Sequence, residues 1–165
     1  MSDDKAFKPS APLVADAQRP RVGGADRPLV QVAVGVLFLP DGRFLLTSRP
    51  PGKVYEGYWE FPGGKLEPNE TIAQALAREL REELGVEIED CTLWKTEQVD
   101  YPHAWVQLNF CRVTRWRGDL QMREGQTFSW QRLPVQVTPV LPGTWPVLNW
   151  LEQEASASRS DPNPA

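Results

Sequence analysis

The sequence predicts a single α+β domain in which a mixed β-sheet lies between helices. Two observations predict this fold class. The chain has 165 residues, which is enough for one globular domain with a hydrophobic core. Its periodic segments follow the order strands, helix, strands, helix, which is typical of a sheet covered by helices. Hydrophobic residues form 41% of the chain and charged residues 24%, so a largely disordered chain is excluded.

The first half of the expected domain contains two strands and a short extended piece. Residues 30–39 are dense in Val, Leu and Phe and predict a strand. A Pro-Asp-Gly turn follows, and residues 43–48 predict the returning strand of a hairpin. Beyond a loop at 49–57, residues 58–61 are extended, and Pro62-Gly63-Gly64 is expected to end that extended piece.

Residues 71–84 predict the clearest helix. Thr71 and Gln74 fit a capping box at its beginning, and Gly85 fits the residue that ends it. An apolar stripe with a spacing of four residues is expected to face the core, and it consists of Leu76, Leu80 and Leu84.

The second half of the domain predicts further strands and a final helix. The strand segments are 86–99, with one or two strands, 105–116 and 127–133. A helix is expected over 145–154, with Thr144 as its cap and Pro146 in its first turn.

Both ends of the chain lack hydrophobic periodicity. Residues 1–28 are rich in Pro, Ala and charged side chains and predict a flexible N-terminal arm. Residues 155–165 predict a disordered C-terminal tail. The folded domain is therefore expected to span residues 29–154, which is a usual domain size.

The net charge and the pattern of apolar residues argue against several classes of function. A net charge of −4 and a pI near 5.1 argue against nonspecific binding to nucleic-acid polymers or anionic membranes. The sequence contains no stretch of about 18 apolar residues, so it predicts no membrane-spanning helix. No apolar run near the N-terminus predicts a secretory signal. Cys91 and Cys111 lack metal-ligand spacing and predict reduced thiols. A cytoplasmic protein is therefore expected.

The predicted helix carries an unusual acidic face. Glu79, Glu82 and Glu83 stand at i, i+3 and i+4, so their carboxylates share one side, near the helix end where the macrodipole disfavours anions. A multivalent cation would neutralise this repulsion, and ligands that are all oxygen indicate Mg²⁺ or Mn²⁺. The alternative is a solvated face with ion pairs to Arg78 and Arg81.

A longer pattern favours the cation. Residues 64–86 match every defined position of the Nudix box: Gly64, five residues, Glu70, seven residues, Arg78-Glu79, an apolar residue, any residue, Glu82-Glu83, any residue, Gly85 and an apolar residue. The chain therefore resembles a Nudix hydrolase over residues 29–154. Three further features resemble the MutT subgroup: Trp-Glu-Phe-Pro-Gly-Gly-Lys at 59–65, Glu124-Gly125-Gln126 before the last strand, and Pro146-Val147.

This resemblance implies a fold, a reaction and a set of site residues. The fold is a Nudix-type α/β/α sandwich with a catalytic loop and helix. The reaction converts a nucleoside triphosphate and water to the monophosphate and diphosphate with Mg²⁺ or Mn²⁺. The implied metal ligands are the Gly64 backbone carbonyl, Glu79, Glu82, Glu83 and Glu124. Glu79 or Glu124 is the general base, and the choice between them stays open; Arg78 orients the glutamates, and Lys65 meets phosphate. Arg49, Glu60, Phe61 and Tyr101 match positions that frame the base.

One departure leaves the substrate open. MutT proteins that prefer 8-oxoguanine carry an Asn shortly before the C-terminal Pro-Val, and here that position is Thr144. A hydroxyl cannot pair bidentately with a base edge as an amide can. The first prediction is an 8-oxo-dGTP diphosphatase that sanitises the nucleotide pool and so assists DNA repair. The alternatives are a CTP or modified dCTP pyrophosphohydrolase and a non-catalytic regulator that only binds nucleotide. A monomer or small homo-oligomer is expected, and a surface role without chemistry is expected for His103.

Overall fold

The computed structural model describes residues 11–159, apart from the side chain of residue 25. Within this range the chain forms ten strands and two α-helices. The strands are β1 (Leu13–Val14), β2 (Leu29–Leu37), β3 (Phe44–Ser48), β4 (Trp59–Glu60), β5 (Gly63–Lys65), β6 (Glu87–Ile88), β7 (Thr92–Asp100), β8 (Trp105–Val113), β9 (Trp116–Arg117) and β10 (Phe128–Gln131). The helices are α1 (Ile72–Leu84) and α2 (Trp145–Arg159), and short 3-10 turns lie at Gly24–Asp26 and Pro142–Thr144.

The main sheet is mixed and has five strands in the order β1-β7-β8-β2-β5. The central pair, β2 and β8, runs parallel over nine residues, from Leu29 opposite Trp105 to Leu37 opposite Val113. Antiparallel pairing adds β7 to β8 and β5 to β2, and β1 joins the far edge in parallel to β7. Two smaller sheets consist of β10-β3-β4 and β6-β9.

Alternation along β2 divides the core between the two helices. Ala33 and Leu37 pack with the buried face of α1, whereas Val34 and Val36 pack with α2. This follows from the two-residue period of a strand, which sends successive side chains to opposite faces. The helices therefore cover opposite faces of the sheet, which confirms the predicted α/β/α sandwich.

Helix α1 forms as predicted. Gln74 N donates to Thr71 Oγ1 at 3.1 Å and Thr71 N donates to Gln74 Oε1 at 3.0 Å, so both halves of the capping box are present. Gly85 ends the helix with φ 70°, a left-handed conformation that glycine adopts without steric cost. The leucine stripe of α1 is fully buried.

The predicted hairpin between β2 and β3 forms only beside its turn, where Gly42 N donates to the Leu39 carbonyl and Leu39 N to the Arg43 carbonyl, both at 2.9 Å. These strands belong to different sheets and share only an isolated bridge between Phe38 and Phe44. The reason is that both edges of β2 are already occupied, by β8 on one side and by β5 on the other. β3 pairs with β10 and β4 instead.

The extended piece ends at Glu60, as expected, but the glycines after Pro62 do not form a loop, because Gly63–Lys65 forms a new strand, β5, against β2. A side chain at Gly63 would collide with the carbonyl oxygen of Ala33 on the neighbouring strand. The missing side chain therefore permits a close backbone approach, which brings β5 directly beside α1.

Both predicted termini are more ordered than expected within the described residues. Residues 11–28 were expected to be part of a flexible arm, but they lie against the sheet, where β1 pairs with Val99 and Asp100. Helix α2 continues to Arg159 instead of ending at 154. Thr144 belongs to the preceding 3-10 turn and therefore does not serve as the N-cap of α2. The remaining parts of the predicted arm and tail, 1–10 and 160–165, lie outside the described residues.

None of the helices formed by residues 11–159 is long and apolar enough to cross a membrane.

Candidate active site

The site begins where β5 lies beside the C-terminal half of α1. The Glu79 carboxylate lies so close to the backbone of Gly64 that a Cβ atom at Gly64 would overlap it. A side chain at position 64 would therefore displace the Glu79 carboxylate from this contact. This contact places the Gly64 backbone beside a carboxylate, as the predicted site requires.

Arg78 connects the acidic side chains of this region. Its Nε and Nη2 atoms each donate to Glu70 at 2.8 Å, and Nη1 donates to Glu79 at 2.9 Å and to Glu82 at 3.4 Å. Nη2 also donates to the backbone carbonyl of Lys65 at 3.0 Å. The hydrogen bonds from Arg78 lower the pKa of Glu70 to about 2. In turn, the bonds to Glu70 and Glu79 raise the pKa of Arg78 above its usual range. Arg78 therefore joins α1 to the loop before it and restrains two of the predicted metal ligands.

The loop at 121–126 brings Glu124 to the end of α1. Gln121 N donates to the carbonyl of Leu84 at 2.8 Å, and Arg123 N donates to that of Glu83 at 3.1 Å. Gln126 is buried and links both sides, because its Nε2 donates to the Glu83 carbonyl at 3.1 Å and its Oε1 accepts from Glu124 N at 2.9 Å. These bonds satisfy carbonyls that the end of a helix leaves without partners.

Several carboxylates surround Glu83. Burial is the largest cause that raises the pKa of Glu83 well above its usual range, followed by repulsion from Glu79, Glu124 and Glu60. Like charges held this close are unfavourable unless a countercharge neutralises them. The donors are all oxygen atoms, which is the chemistry that a hard divalent cation prefers.

The carboxylates do not form a finished cage. Among residues 11–159, no three Asp, Glu, His or Cys side chains stand in an arrangement that could hold a metal ion as they are placed. The Glu79 and Glu82 carboxylates are directed to Arg78, and Glu82 is 56% exposed. The donor chemistry fits a divalent cation, and binding requires some of these side chains to change rotamer. The metal ligands therefore stay a prediction.

Two of the residues predicted to frame the base, Arg49 and Glu60, form an ion pair. Arg49 Nη1 pairs with Glu60 at 3.1 Å, and Arg49 Nε donates to the carbonyl of Val54 at 2.5 Å. Burial raises the pKa of Glu60 to about 7, against the opposing effect of Arg49. The negative charge of Glu60 also helps to raise the pKa of Glu83, so the two carboxyl groups influence each other.

The two aromatic residues that are predicted to frame the base, Phe61 and Tyr101, are buried. Phe61 is 4% exposed and packs against Phe44 in the core, 5.9 Å between ring centroids. Tyr101 is also 4% exposed, and its hydroxyl accepts a hydrogen bond from Gly143 N at 3.0 Å. Thr144, next in the chain, is 3% exposed. These placements favour a packing role for Phe61 and Tyr101 over open stacking of either ring on a base.

Lys65 and His103 lie nearer the surface. The Lys65 side chain is exposed, as a residue that meets phosphate should be. The His103 ring centroid is 5.2 Å from that of Tyr101 and 5.9 Å from that of Tyr55. Burial lowers the pKa of His103, and the charges of Arg49, Lys65 and Arg27 lower it further.

Two contributors to the site were not predicted from the sequence. Glu70 belongs to the sequence motif, but only the structure shows that it is the strongest partner of Arg78. The sequence does not indicate the role of Gln126, apart from its position next to Gly125, because its hydrogen-bond partner Glu83 lies on α1, about forty residues earlier in the chain.

Comparison with known proteins identifies the class. The NUDIX domain model matches residues 29–151, and the chain belongs to this family. The 8-oxo-dGTP diphosphatase of Proteus vulgaris is 41% identical over 100 residues, which cover 61% of this chain and 89% of that protein. The CTP pyrophosphohydrolase of Escherichia coli (strain K12) is 39% identical over 97 residues, which cover 59% of this chain and 72% of that protein.

A solved structure agrees with these relatives. A chain from the structural study of MutT from Aliivibrio salmonicida and Vibrio cholerae superposes with a TM-score of 0.63 at 27% identity, covering 77% of this chain and 99% of that one. The comparisons therefore confirm the predicted resemblance to MutT-like Nudix hydrolases.

Proposed function

We propose that this protein is a Mg²⁺-dependent nucleoside triphosphate pyrophosphohydrolase whose substrate is 8-oxo-dGTP. The observation that carries the proposal is the end of α1, where the Glu79 carboxylate lies against the Gly64 backbone and where Glu79 and Glu124 act electrostatically on the buried Glu83. A solvated acidic face would not hold a carboxylate against the Gly64 backbone or have a loop docked on the helix end. The proposed enzyme acts on the nucleotide pool of the cytoplasm.

The proposed metal ligands are the Gly64 carbonyl and the carboxylates of Glu79, Glu82, Glu83 and Glu124. A bound divalent cation supplies charge neutralisation for the triphosphate and lowers the pKa of the attacking water. The oxygen-only donor set and the uncompensated repulsion around Glu83 support this assignment.

The side chains of the protein position the reactants and move one proton. The water oxygen bonds to the α or the β phosphorus, the P–O bond that bridges these two phosphoryl groups breaks, and the monophosphate and diphosphate separate. Glu79 or Glu124 accepts the water proton, and Arg78 keeps Glu79 directed toward Gly64. Lys65 is exposed at the start of the loop before α1, where its charge can meet a phosphate oxygen.

The choice of 8-oxo-dGTP is supported by the relatives named for that substrate. The paired Arg49 and Glu60 offer a donor and an acceptor side by side, which suits the edge of a base. Hydrolysis of an oxidised guanine nucleotide would keep it out of newly made DNA.

A second candidate, a CTP or modified dCTP pyrophosphohydrolase, is favoured by one residue. Thr144 is buried in the turn that meets Tyr101, one of the residues proposed to frame the base, and it carries a hydroxyl in place of an amide. A relative at 39% identity is a CTP pyrophosphohydrolase. The two candidates differ in the base and share the chemistry.

A substrate panel with Mg²⁺ decides between them. We expect kcat/KM for 8-oxo-dGTP to exceed the values for dGTP, CTP and dCTP, measured as release of diphosphate. A higher value for CTP or dCTP would replace the first candidate with the second. Nucleotide binding without any hydrolysis would leave only the non-catalytic regulator.

The variant Glu83→Gln tests the site itself. We expect it to lower kcat by at least about a hundredfold for any substrate, because a ligand carboxylate is lost. Glu152→Gln is the matched control, since Glu152 is an exposed glutamate on α2. Activity of Glu83→Gln equal to that of the control would show that the carboxylate cluster is not the catalytic site.

A further inference from the structure

The described N-terminal residues form a strap, defined as residues 11–28, which precedes the part of the chain that matches the family model. The strap is held along β7. Ala15 is buried, and its N–H donates to the Asp100 carbonyl at 2.9 Å. Arg21 and Arg27 both pair with the Asp100 carboxylate. Val22 N adds a bond to the Pro102 carbonyl at 2.8 Å.

From this position the strap contacts the loop that carries Arg49. The hydroxyl of Tyr55 donates a hydrogen bond to the carboxylate of Asp16. Burial and this hydrogen bond raise the pKa of Tyr55 to about 12, so the hydroxyl stays a donor at neutral pH. The Tyr55 ring also lies against Tyr101 and Tyr58, with centroid distances of 5.7 Å and 5.2 Å.

Tyr55 needs such a restraint. Its φ of 59° is in the left-handed region, which is unfavourable for a bulky aromatic residue. The surrounding contacts must therefore hold the loop in this conformation. The Asp16 hydrogen bond comes from a different part of the chain and acts directly on the strained residue.

The conformation of the loop determines where Arg49 points. Arg49 Nε donates to the carbonyl of Val54, the residue immediately before Tyr55, at 2.5 Å. The base of the loop is closed by Arg49 N to the Tyr58 carbonyl at 2.8 Å and by Gly57 N to the Arg49 carbonyl at 3.0 Å. With Nε fixed, Nη1 of Arg49 reaches Glu60. A shift of Tyr55 would move the Val54 carbonyl and release this arrangement.

We propose that Asp16 is a positioning residue for nucleotide binding: through Tyr55 it holds the 49–58 loop in the conformation that directs Arg49 toward the base side of the site. The proposal rests on the proposed function for the identity of the ligand. Its structural part, that the strap orders the loop, is independent of any reaction.

The kinetic test uses substitutions that change single groups. Tyr55→Phe removes only the hydroxyl, and Asp16→Gly removes the carboxylate at a residue whose φ of 47° glycine tolerates. We expect each to raise KM for the best nucleotide about threefold to tenfold, as loss of one hydrogen bond implies, with kcat within about twofold of wild type. Asp16→Asn keeps an acceptor oxygen and is expected to restore KM toward the wild-type value. Tyr58→Phe is the control, because the Tyr58 hydroxyl makes no hydrogen bond within residues 11–159.

Two further measurements separate positioning from general stability and from the proposed reaction. Amide hydrogen exchange of residues 50–57 should become faster in Tyr55→Phe and Asp16→Gly, while exchange in α1 is unchanged. The Kd for an α,β-methylene triphosphate analogue should rise by the same factor as KM. A lower Tm with unchanged KM, Kd and loop exchange would overturn the proposal, as would an effect of Tyr58→Phe equal to that of Tyr55→Phe. If wild type hydrolyses no nucleoside triphosphate, the proposed function fails, and Kd and loop exchange still decide the role of Asp16.

Discussion

Gly64 shows how closely a single residue is tied to the proposed chemistry. The backbone at this position lies against the Glu79 carboxylate, and any Cβ atom would occupy the same space. The obstacle is the end of a flexible glutamate side chain, which can rotate away. The contact therefore constrains where Glu79 points more than it constrains the fold.

At the residue scale we predict that Gly64→Ala folds normally and loses activity. The displaced Glu79 carboxylate should lower kcat/KM about a hundredfold, with an unfolding free energy within about 1 kcal/mol of wild type. Steady-state kinetics and urea denaturation measure the two effects. Glu79→Gln should be about as inactive, and the double variant should lose little more, because the two changes disrupt one contact. Full activity of Gly64→Ala would contradict the role of this contact.

At the element scale, the C-terminal end of α1 is also the docking point for the loop at 121–126. The left-handed Gly85 ends the helix, and the carbonyls of Arg81, Glu83 and Leu84 accept hydrogen bonds from this loop. The same bonds that complete the helix bring Glu124 to the carboxylates of α1. Helix termination and assembly of the site therefore depend on one set of contacts.

Gly85→Ala should reveal this dependence. The left-handed φ costs an alanine about 1–2 kcal/mol of unfolding free energy, and its Cβ would lie 3.0 Å from the Arg123 guanidinium, next to Glu124. We expect lower stability together with lower kcat. Gly42→Ala is the matched control, because Gly42 has φ 89° and nothing within 4 Å of the added Cβ. It should lose similar stability, measured by urea denaturation, and keep wild-type kcat. Equal kcat in both variants would show that Arg123 does not couple the helix end to Glu124.

At the scale of the whole molecule, the distribution of charge matters more than its sum. The net charge is −4, but residues 67–90 alone contain eight acidic and two basic side chains. The acidic balance therefore does not exclude a polyphosphate substrate, since the excess lies around the proposed cation site. Without a cation, burial and the neighbouring carboxylates disfavour ionised Glu83, which opposes folding of the domain near neutral pH.

We therefore expect Mg²⁺ to stabilise the whole protein. At ten times its Kd, a ligand that binds only the folded state adds about 1.4 kcal/mol, or roughly 3–5 °C in Tm for a domain of this size. Differential scanning fluorimetry with and without Mg²⁺ measures the shift. Glu83→Gln should have a Tm at or above that of wild type without metal, because a neutral amide avoids the cost of protonating or burying the Glu83 carboxylate. Its shift with Mg²⁺ should be much smaller. An equal shift in Glu83→Gln and in the control Glu152→Gln would place the cation elsewhere.

Much of the fold and part of the candidate site could be predicted because their signals are local. The limits of α1, its capping box and its leucine stripe depend on residues within a few positions of one another. The shared face of Glu79, Glu82 and Glu83 follows from helical spacing alone. The predicted hairpin extends no further than the residues beside its turn, because β8 and β5 occupy the two edges of β2. The local turn sequence contains no information about that competition.

The sequence by itself determined the family, the α/β/α arrangement and the acidic helix face, since periodicity and motif spacing are carried by neighbouring residues. Only the tertiary structure decided that Arg78 is held chiefly by Glu70, that Phe61 is buried, and that residues 11–28 lie on the sheet. These features join positions that are distant in the chain. Their energies appear only when strands pair and side chains pack, so no local pattern records them.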